Sequence, residues 1–292
     1  MDASVIIPTF NKASRLCRVL EAFRYQTVRS FEVVVCNDGS TDETAKALEA
    51  FAGGGLPYSL KVTNTANQGA GAARNRAVSV SRGDILIFND DDMIPSPRYV
   101  EAHIAAASNG RFVSRGERWT VPIEVAETFA SEPAAPEGLE KLWTASRLSV
   151  GENWTRTALT VSPGHYFKWL QSCTSNLAIS REGFDRAGGF DEHYGTRWGA
   201  EDTDFGYCAD RAGWMMTYNP EALNCHLEHS TSSSAKFEQA YPNFLYMQSK
   251  YQNRVIDTLL DFISVKIAGQ ASHDLFNEDE FTNDLPPKVA YR

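Results

Sequence analysis

The chain has 292 residues, 42% hydrophobic and 22% charged, with a formal net charge of −9. That length can bury a sizeable core, as one large domain or a domain with an appendage, and the composition is ordinary for a globular protein. The acidic balance excludes a nucleic-acid binder, which carries a basic footprint.

Ser4-Val5-Ile6-Ile7-Pro8 reads as a first short strand, and Leu16, Val19, Leu20 and Phe23 follow the spacing of a helix that begins near Asn11. A second strand, Phe31 to Cys36, runs into Asn37-Asp38-Gly39. Ser40 and Glu43 then have the spacing of a capping box for a helix that runs out at Gly53-Gly54-Gly55. A third strand is expected at 59–63, an Ala-rich helix at 70–80, and a fourth strand over Ile85-Leu86-Ile87-Phe88. Four apolar residues closed off by Asn89 predict a strand buried on both faces. Alternating strands and helices with short links predict an α/β domain with a largely parallel sheet. Neither the first strand nor the glycines at 53–55 offer the context of a phosphate-cradling loop, so a dinucleotide-binding domain is disfavoured despite Asp38.

Three carboxylates, Asp90, Asp91 and Asp92, follow the fourth strand directly. Open parallel sheets bind ligands beyond the carboxyl ends of their strands. Adjacent aspartates repel one another and add nothing to a core, so the cluster suggests a divalent cation held by oxygen ligands, with a solvated acidic loop as the alternative.

A helix is expected at 98–108 and a strand at 111–115, after which 116–165 has no clear period until a helix near 138–147. This stretch is read as an insertion or lid. Trp119, Trp143, Trp154 and Trp169 fall in it or at its edge, where they either stack on a sugar or fill core. A strand returns at 172–179, a helix at 201–212 begins with Glu201 and Asp202, and a strand at 222–229 ends in His226 and His229. Carboxylates at a helix N-terminus are also favoured by the dipole alone. Leu259, Leu260, Ile263 and Ile267 mark a helical C-terminal region suited to packing or oligomerisation, and 277–292 reads as a loose tail.

Cys17, Cys36, Cys173, Cys208 and Cys225 have no paired spacing, as expected of reduced thiols in a cytosolic protein. No basic segment leading into an apolar one opens the chain, and no apolar run approaches the ~18 residues of a membrane span. The expected location is the cytoplasm, with peripheral contact at the inner membrane face as a variant.

Together these segments resemble the family 2 inverting glycosyltransferases with the GT-A fold, over about 1–110 and 172–230. VIIPTFNKASRL is similar to the family's opening strand and loop, VVVCNDGSTDET to its second strand, NQGAGAARNRAV to its N-x-G-x-x-x-A-R-N segment, and NDDD to its D-x-D metal motif. RWGAEDTDFGYCADRAGW resembles the acceptor-side W-G-x-E-D motif, shared with the galactosyltransferases of family 7.

The resemblance implies a Rossmann-like, mostly parallel GT-A sheet flanked by helices, with a C-terminal helical extension. It implies a nucleotide-sugar-binding half at 1–110, an acceptor half at 111–230 with a lid at about 116–170, and an extension from 231. The implied donor contacts are Pro8, Thr9, Asn11, Asp38 (to the base), Gly69, Arg74, Asn89 or Asp90 (to the ribose) and Trp198. Asn89 departs from the usual first aspartate of the metal motif. The implied metal ligands are Asp91 with His226 or His229, and Asp92 supports them. This donor set favours Mn²⁺ with Mg²⁺ as a substitute. Asp202 is the implied base and Glu201 the implied acceptor contact.

The activity implied is metal-dependent transfer of a sugar, from a UDP-sugar above all, to a glycan, lipid-linked saccharide, peptide or small-molecule acceptor. A homodimer through the C-terminal extension is a further expectation. A sugar-nucleotide pyrophosphorylase would need a Gly-rich basic loop after the first strand, and a silent scaffold would be expected to lose the carboxylates. A retaining transferase is the remaining alternative, because fold alone does not fix stereochemistry.

Overall fold

The computed structural model describes residues 1–108, 110–131, 136–148, 168–229 and 233–267. Its first half follows the expected alternation: β1 (Ala3–Thr9), α1 (Ala13–Ala22), β2 (Phe31–Asn37), α2 (Thr44–Ala52), β3 (Ser59–Asn64), α3 (Ala70–Val80) and β4 (Ile85–Asn89). These strands lie parallel in the order β3-β2-β1-β4. Their period of two sends alternate residues to opposite layers. Val5, Ile7, Val33, Val35 and Ile87 pack under α1 and α2, whereas Ile6, Val34, Cys36, Leu86 and Phe88 pack under α3.

The second half contains β5 (Met93–Pro95), α4 (Tyr99–Ala107), β6 (Phe112–Val121), α5 (Ile123–Ser131), α6 (Pro136–Ala145) and β7 (Arg147–Leu148). It continues through β8 (Asn176–Ser180), α7 (Arg181–Ala187), α8 (Glu201–Arg211), β9 (Met215–Leu227), α9 (Ser233–Tyr251) and α10 (Arg254–Ile267). Among the described residues all strands join one nine-stranded sheet, in which β8 runs antiparallel to β4 and the order continues β8-β6-β9-β5, with β7 paired to β6. The parallel half thus meets a mixed half at β4. The strand order reverses between β1 and β4, and in open α/β sheets ligands bind beyond the carboxyl ends of the strands at such a point. No helix among the described residues is long and apolar enough to cross a membrane.

Several expectations need correction. The strand expected at 111–115 runs on to Val121, so 116–121 belongs to the central sheet and not to a lid, and two helices, α5 and α6, follow it. Trp169 is buried core, while Trp119 and Trp143 pack against the core under α1. Trp154 and the tail at 277–292 lie outside the described residues. The strand expected from 172 starts at Asn176, after a short 3-10 turn at Lys168–Gln171. The capping box does not form: α2 has no side-chain cap, because Ser40 accepts from the amide of Asn11 and Asp42 accepts from Thr44 instead. The C-terminal helices form their own buried cluster, in which Ala240, Phe244, Met247, Ile256 and Leu259 meet Trp169 and Tyr194.

Asn176 is the polar knot of the mixed half. It is fully buried, and its Nδ2 donates to the carbonyls of Glu117 and Ala222 and to Asn224 Oδ1, at 2.9–3.0 Å. Its Oδ1 accepts from His103 Nε2 at 2.9 Å. Burial holds that imidazole neutral, with its pKa lowered to about 3, so its Nδ1 accepts from Ser114 at 3.0 Å. A Cβ on Gly116 would fall 2.0 Å from Asn176 Oδ1, so this approach requires glycine. Asn176→Ala leaves several buried groups without partners and is expected to destabilise the fold by about 3 kcal/mol. A urea transition with an unchanged midpoint would show that water replaces the lost bonds.

Candidate active site

The three aspartates sit on a tight turn between β4 and β5, closed by the amide of Met93 donating to the carbonyl of Asp90 at 3.2 Å. Successive side chains on such a turn diverge, and each finds a different partner. Asp90 Oδ1 accepts from Arg74 Nη2 at 2.9 Å. Asp91 Oδ2 accepts from Thr9 Oγ1 at 2.7 Å, which ties the turn to the end of β1. Asp92 faces β9, with its Oδ2 3.7 Å from His226 Nε2 and 3.6 Å from His229 Nε2.

Strand pairing causes the last arrangement. Met93 is in register with His226, and the amide of Leu227 donates to the carbonyl of Asp92 at 3.0 Å. Arg15 on α1 holds the next segment by donating to the carbonyls of Leu227 and Glu228. One ligand atom each from Asp92, His226 and His229 lies within 4.8 Å of the others. A carboxylate with two imidazoles is a donor set suited to a first-row transition metal. Geometry therefore groups Asp92 with both histidines, whereas the sequence reading had placed Asp91 there and Asp92 in support.

Electrostatics points the same way. Burial and the charge of Asp92 push the Asp91 carboxyl up to about 8. Burial works against ionised Asp92 too, but the neighbouring His226, then Lys12 and His229, hold that carboxyl below its ordinary range. Burial, then Lys12, lowers His229 to about 4, leaving its imidazole neutral and able to ligate.

Arg74 is 3% exposed, and its guanidinium joins the turn to the acceptor motif. Nη1 donates to Glu201 Oε1 at 3.1 Å while Nη2 holds Asp90, and the Cζ stands 5.5 Å over the Phe190 ring. Burial disfavours the charge, but Asp90 and Glu201 outweigh it and raise the pKa. Arg74 Nε and Glu201 Oε2 have no hydrogen-bond partner among the described residues.

Glu201 and Asp202 open α8 after a turn in which Gly199 and Ala200 have φ of +91° and +76°. Left-handed backbone costs a non-glycine residue ~1–2 kcal/mol, and such strain collects at functional sites. Asp202 accepts from the amide of Thr203 at 2.8 Å. Burial, then the neighbouring charge of Glu201, raises its carboxyl to about 7, with Arg74 pulling the other way. Such a group exchanges protons near neutrality.

The corner after β1 and β2 is built mainly by side chains bonding to backbone. Asn11, at φ +54°, accepts through Oδ1 from the amide of Thr41 at 2.8 Å. Asp38 accepts from Thr65 Oγ1 at 2.6 Å and from the amides of Gln68 and Gly69 at 2.8 Å, so it fixes the turn that starts α3. Pro8 pairs with Cys36 within the sheet. A Cβ on Gly69 would lie 1.7 Å from the carbonyl oxygen of Gly195, so this glycine lets the corner after β2 touch the loop that precedes α8. Asn89, expected at the ribose, is fully buried: its amide donates to the carbonyls of Asp90 and Met93, and it accepts from Asn224. It shapes the turn. Trp198 is 48% exposed, with Lys236 Nζ 5.6 Å from its ring centroid.

Residues 4–157, more than half of the chain, match the family described as glycosyl transferase family 2. The chain belongs to glycosyl transferase family 2. It belongs with that family to the glycosyltransferase enzymes. Residues 157–221 also match the family described as the N-terminal domain of galactosyltransferase. The uncharacterized glycosyltransferase YfnE of Bacillus subtilis (strain 168) is 29% identical, covering 90% of this chain and 74% of its own length. The fold is similar to that of the mannosyltransferase PcManGT from Pyrobaculum calidifontis in complex with GDP-Man and Mn²⁺. There the TM-score is 0.59 at 18% identity, over 85% of this chain and 63% of that one. It is also similar to S. aureus TarS 1–349 in complex with UDP-GlcNAc, with a TM-score of 0.54 at 19% identity, over 92% and 72%. The chain thus spans less than two thirds of the first of these structures.

Sequence reasoning missed Lys12 beside the aspartates and Arg15 behind the histidines. Both follow the recognised Pro8-Thr9-Phe10-Asn11 corner, and that position was the available signal. The family 2 resemblance marked Arg74 as a donor contact, and its bridging role could not be read without coordinates. Arg74→Met would strand two carboxylates and is expected to cost ~3–5 kcal/mol, the usual penalty for removing one partner of a buried ion pair. Thermal unfolding unchanged from the parent chain would demote the bridge to an ordinary surface pair.

Proposed function

We propose that this chain is a metal-dependent, inverting glycosyltransferase that moves a sugar from a UDP-sugar to an acceptor hydroxyl. The observation that carries the reading is that one buried guanidinium, Arg74, ties Asp90, on the same turn as Asp92, to Glu201 at the start of α8, while Asp92 lies beside His226 and His229.

Asp92, His226 and His229 would hold the cation, Mn²⁺ with Mg²⁺ as substitute, with Asp91 beside them. When bound, the cation supplies counter-charge to the diphosphate leaving group. Lys12 adds positive charge on the same side. The corner formed by Thr9, Asn11, Asp38 and Gly69 is a fitting cradle for the nucleotide, and Asp90 is the carboxylate of the turn best placed for the ribose because it stays partly exposed. Inversion needs one enzymic base, on the face opposite the leaving group. Asp202, raised to about 7, can take the acceptor proton, and Glu201 Oε2 is a free acceptor for that hydroxyl. UDP is favoured over GDP on the general resemblance, although similar folds carry UDP-GlcNAc in one case and GDP-Man in another. A donor-hydrolysis screen over UDP-, GDP- and dTDP-sugars decides between them. The acceptor is taken to be a glycan, lipid-linked saccharide, peptide or small molecule, and the proposed location is the cytoplasm.

Asp202→Asn is expected to lower kcat by roughly 10²–10⁴-fold, the usual worth of a general base, while donor affinity survives. The base must be ionised, so kcat/KM should fall as pH drops through about 7 and level off above it. An acid limb confined to the ordinary carboxylate range, or full turnover in the asparagine variant, would remove Asp202 from the role.

Calorimetry of UDP binding with and without Mn²⁺ tests the ligand set. Asp92→Asn and His226→Ala should each weaken the metal-linked affinity by at least about tenfold. Unchanged metal linkage in Asp92→Asn alongside its loss in Asp91→Asn would return the ligand role to Asp91.

A further inference from the structure

The left-handed turn ahead of Glu201 and Asp202 is held from outside its own segment. Asn243, on α9 and 3% exposed, donates through Nδ2 to the carbonyl of Gly199 at 2.8 Å and to that of Arg197 at 3.3 Å. Ala240, one turn earlier and fully buried, sits where a Cβ on Gly199 would approach it to 3.0 Å. Further along the same face, Tyr246 donates to Asp191 Oδ2 at 2.8 Å. Lys250 Nζ lies 2.8 Å from Asp191 Oδ2 and 3.0 Å from Asp204 Oδ2. Asp204 is 1% exposed and lies on α8, one turn after Glu201 and two residues after Asp202. The stripe 240, 243, 247, 250 keeps helical spacing, so one rigid face of α9 grips the turn at one end and the first turn of α8 at the other.

We infer that Asn243 is a positioning residue for the base: its amide holds the 197–199 carbonyls so that Ala200 stays left-handed and Asp202 faces the acceptor. This rests on the reading of Asp202 as the base. The bond acts through the backbone. A free Ala200 relaxes toward right-handed geometry, which swings the first residues of α8 and the carboxylate with them. The corner of Asn11 and Asp38 and the two histidines belong to other elements, and that corner meets this loop at Gly195, ahead of the carbonyls Asn243 holds.

Asn243→Asp preserves shape but sets a carboxylate against two carbonyl oxygens, and Asn243→Ala removes the donor without adding charge. In either variant kcat is expected to fall about 10–100-fold, with donor KM and Mn²⁺-linked UDP affinity within about twofold of the parent. Amide hydrogen exchange over 198–204 should quicken by at least about tenfold. Glycine adopts positive φ without a Cβ clash, so the loss caused by Asn243→Ala should shrink by at least about threefold in an Ala200→Gly background. Unchanged turnover, unchanged exchange, or strictly additive losses in the double variant would each overturn the assignment, as would UDP affinity falling in step with kcat. The two readings fail separately: full turnover in Asp202→Asn removes the base, whereas full turnover in Asn243→Asp removes only its positioning.

Discussion

Two carboxylates that are far apart in sequence share one buried guanidinium, and the rest of the candidate site is arranged around that contact. Arg74 reaches Asp90, 16 residues away, and Glu201, 127 residues away. Taking such a group out of water is costly, and an apolar contact of equal volume would often be at least as stable. What an ion pair adds is direction. A planar fork offers donors at fixed angles, so it sets the spacing between the aspartate turn and the first turn of α8 in a way that a lysine, a point charge on a flexible stem, would not. Asp91 and Asp202 are the immediate neighbours of the bridged residues. Fixing Asp90 and Glu201 therefore fixes the groups proposed to act on leaving group and nucleophile.

The aspartate turn shows how a repulsive cluster is made tolerable. Its three side chains fan out to α3, β1 and β9, and each meets a donor or a partner imidazole. Asp91 still bears the strain of its neighbour, its carboxyl raised to about 8 by burial and by the charge of Asp92. A structural acidic turn would relieve that by facing solvent. Here it is kept inside, against two histidines anchored by β5–β9 pairing and by Arg15. The arrangement favours a cation over a merely well-capped loop.

The parts legible in sequence were those in which one physical cause acts alone. Ile85 to Phe88 are apolar on both faces because β4 is buried on both faces, and the run stops where the sheet stops. The Ala-rich stretch at 70–80 became α3 with the bounds its composition suggested. Where polar groups sit in the core, the pattern failed. In β6 the buried Arg115 and Glu117 alternate with Gly116 and Arg118, and Glu117 is held by Trp119 at 2.6 Å and by Tyr218, so the strand reads as a loop. β5 is only 3 residues long and has no period to detect. The division of labour among Asp90, Asp91 and Asp92 depends on which strand each one faces. That is a fact of register across distant segments, and spacing along the chain does not carry it.

The two sides of the cleft are stiffened by different means, with a consequence for the chemistry. On the proposed donor side Asn11 and Asp38 lock loops through bonds to backbone within the first 70 residues, so that corner is complete once the parallel strands have assembled. On the other side Asp202, the proposed base, follows two residues after an alanine with φ of +76°, a conformation its own segment does not favour. It is held there by a helix that lies beyond β9 in sequence. The proposed nucleotide corner and the proposed base thus draw on separate parts of the fold, coupled through Arg74 alone among the side-chain contacts described above. If the proposed roles hold, a chain organised this way can vary its C-terminal helices to re-aim Asp202 without disturbing the Asn11–Asp38 corner.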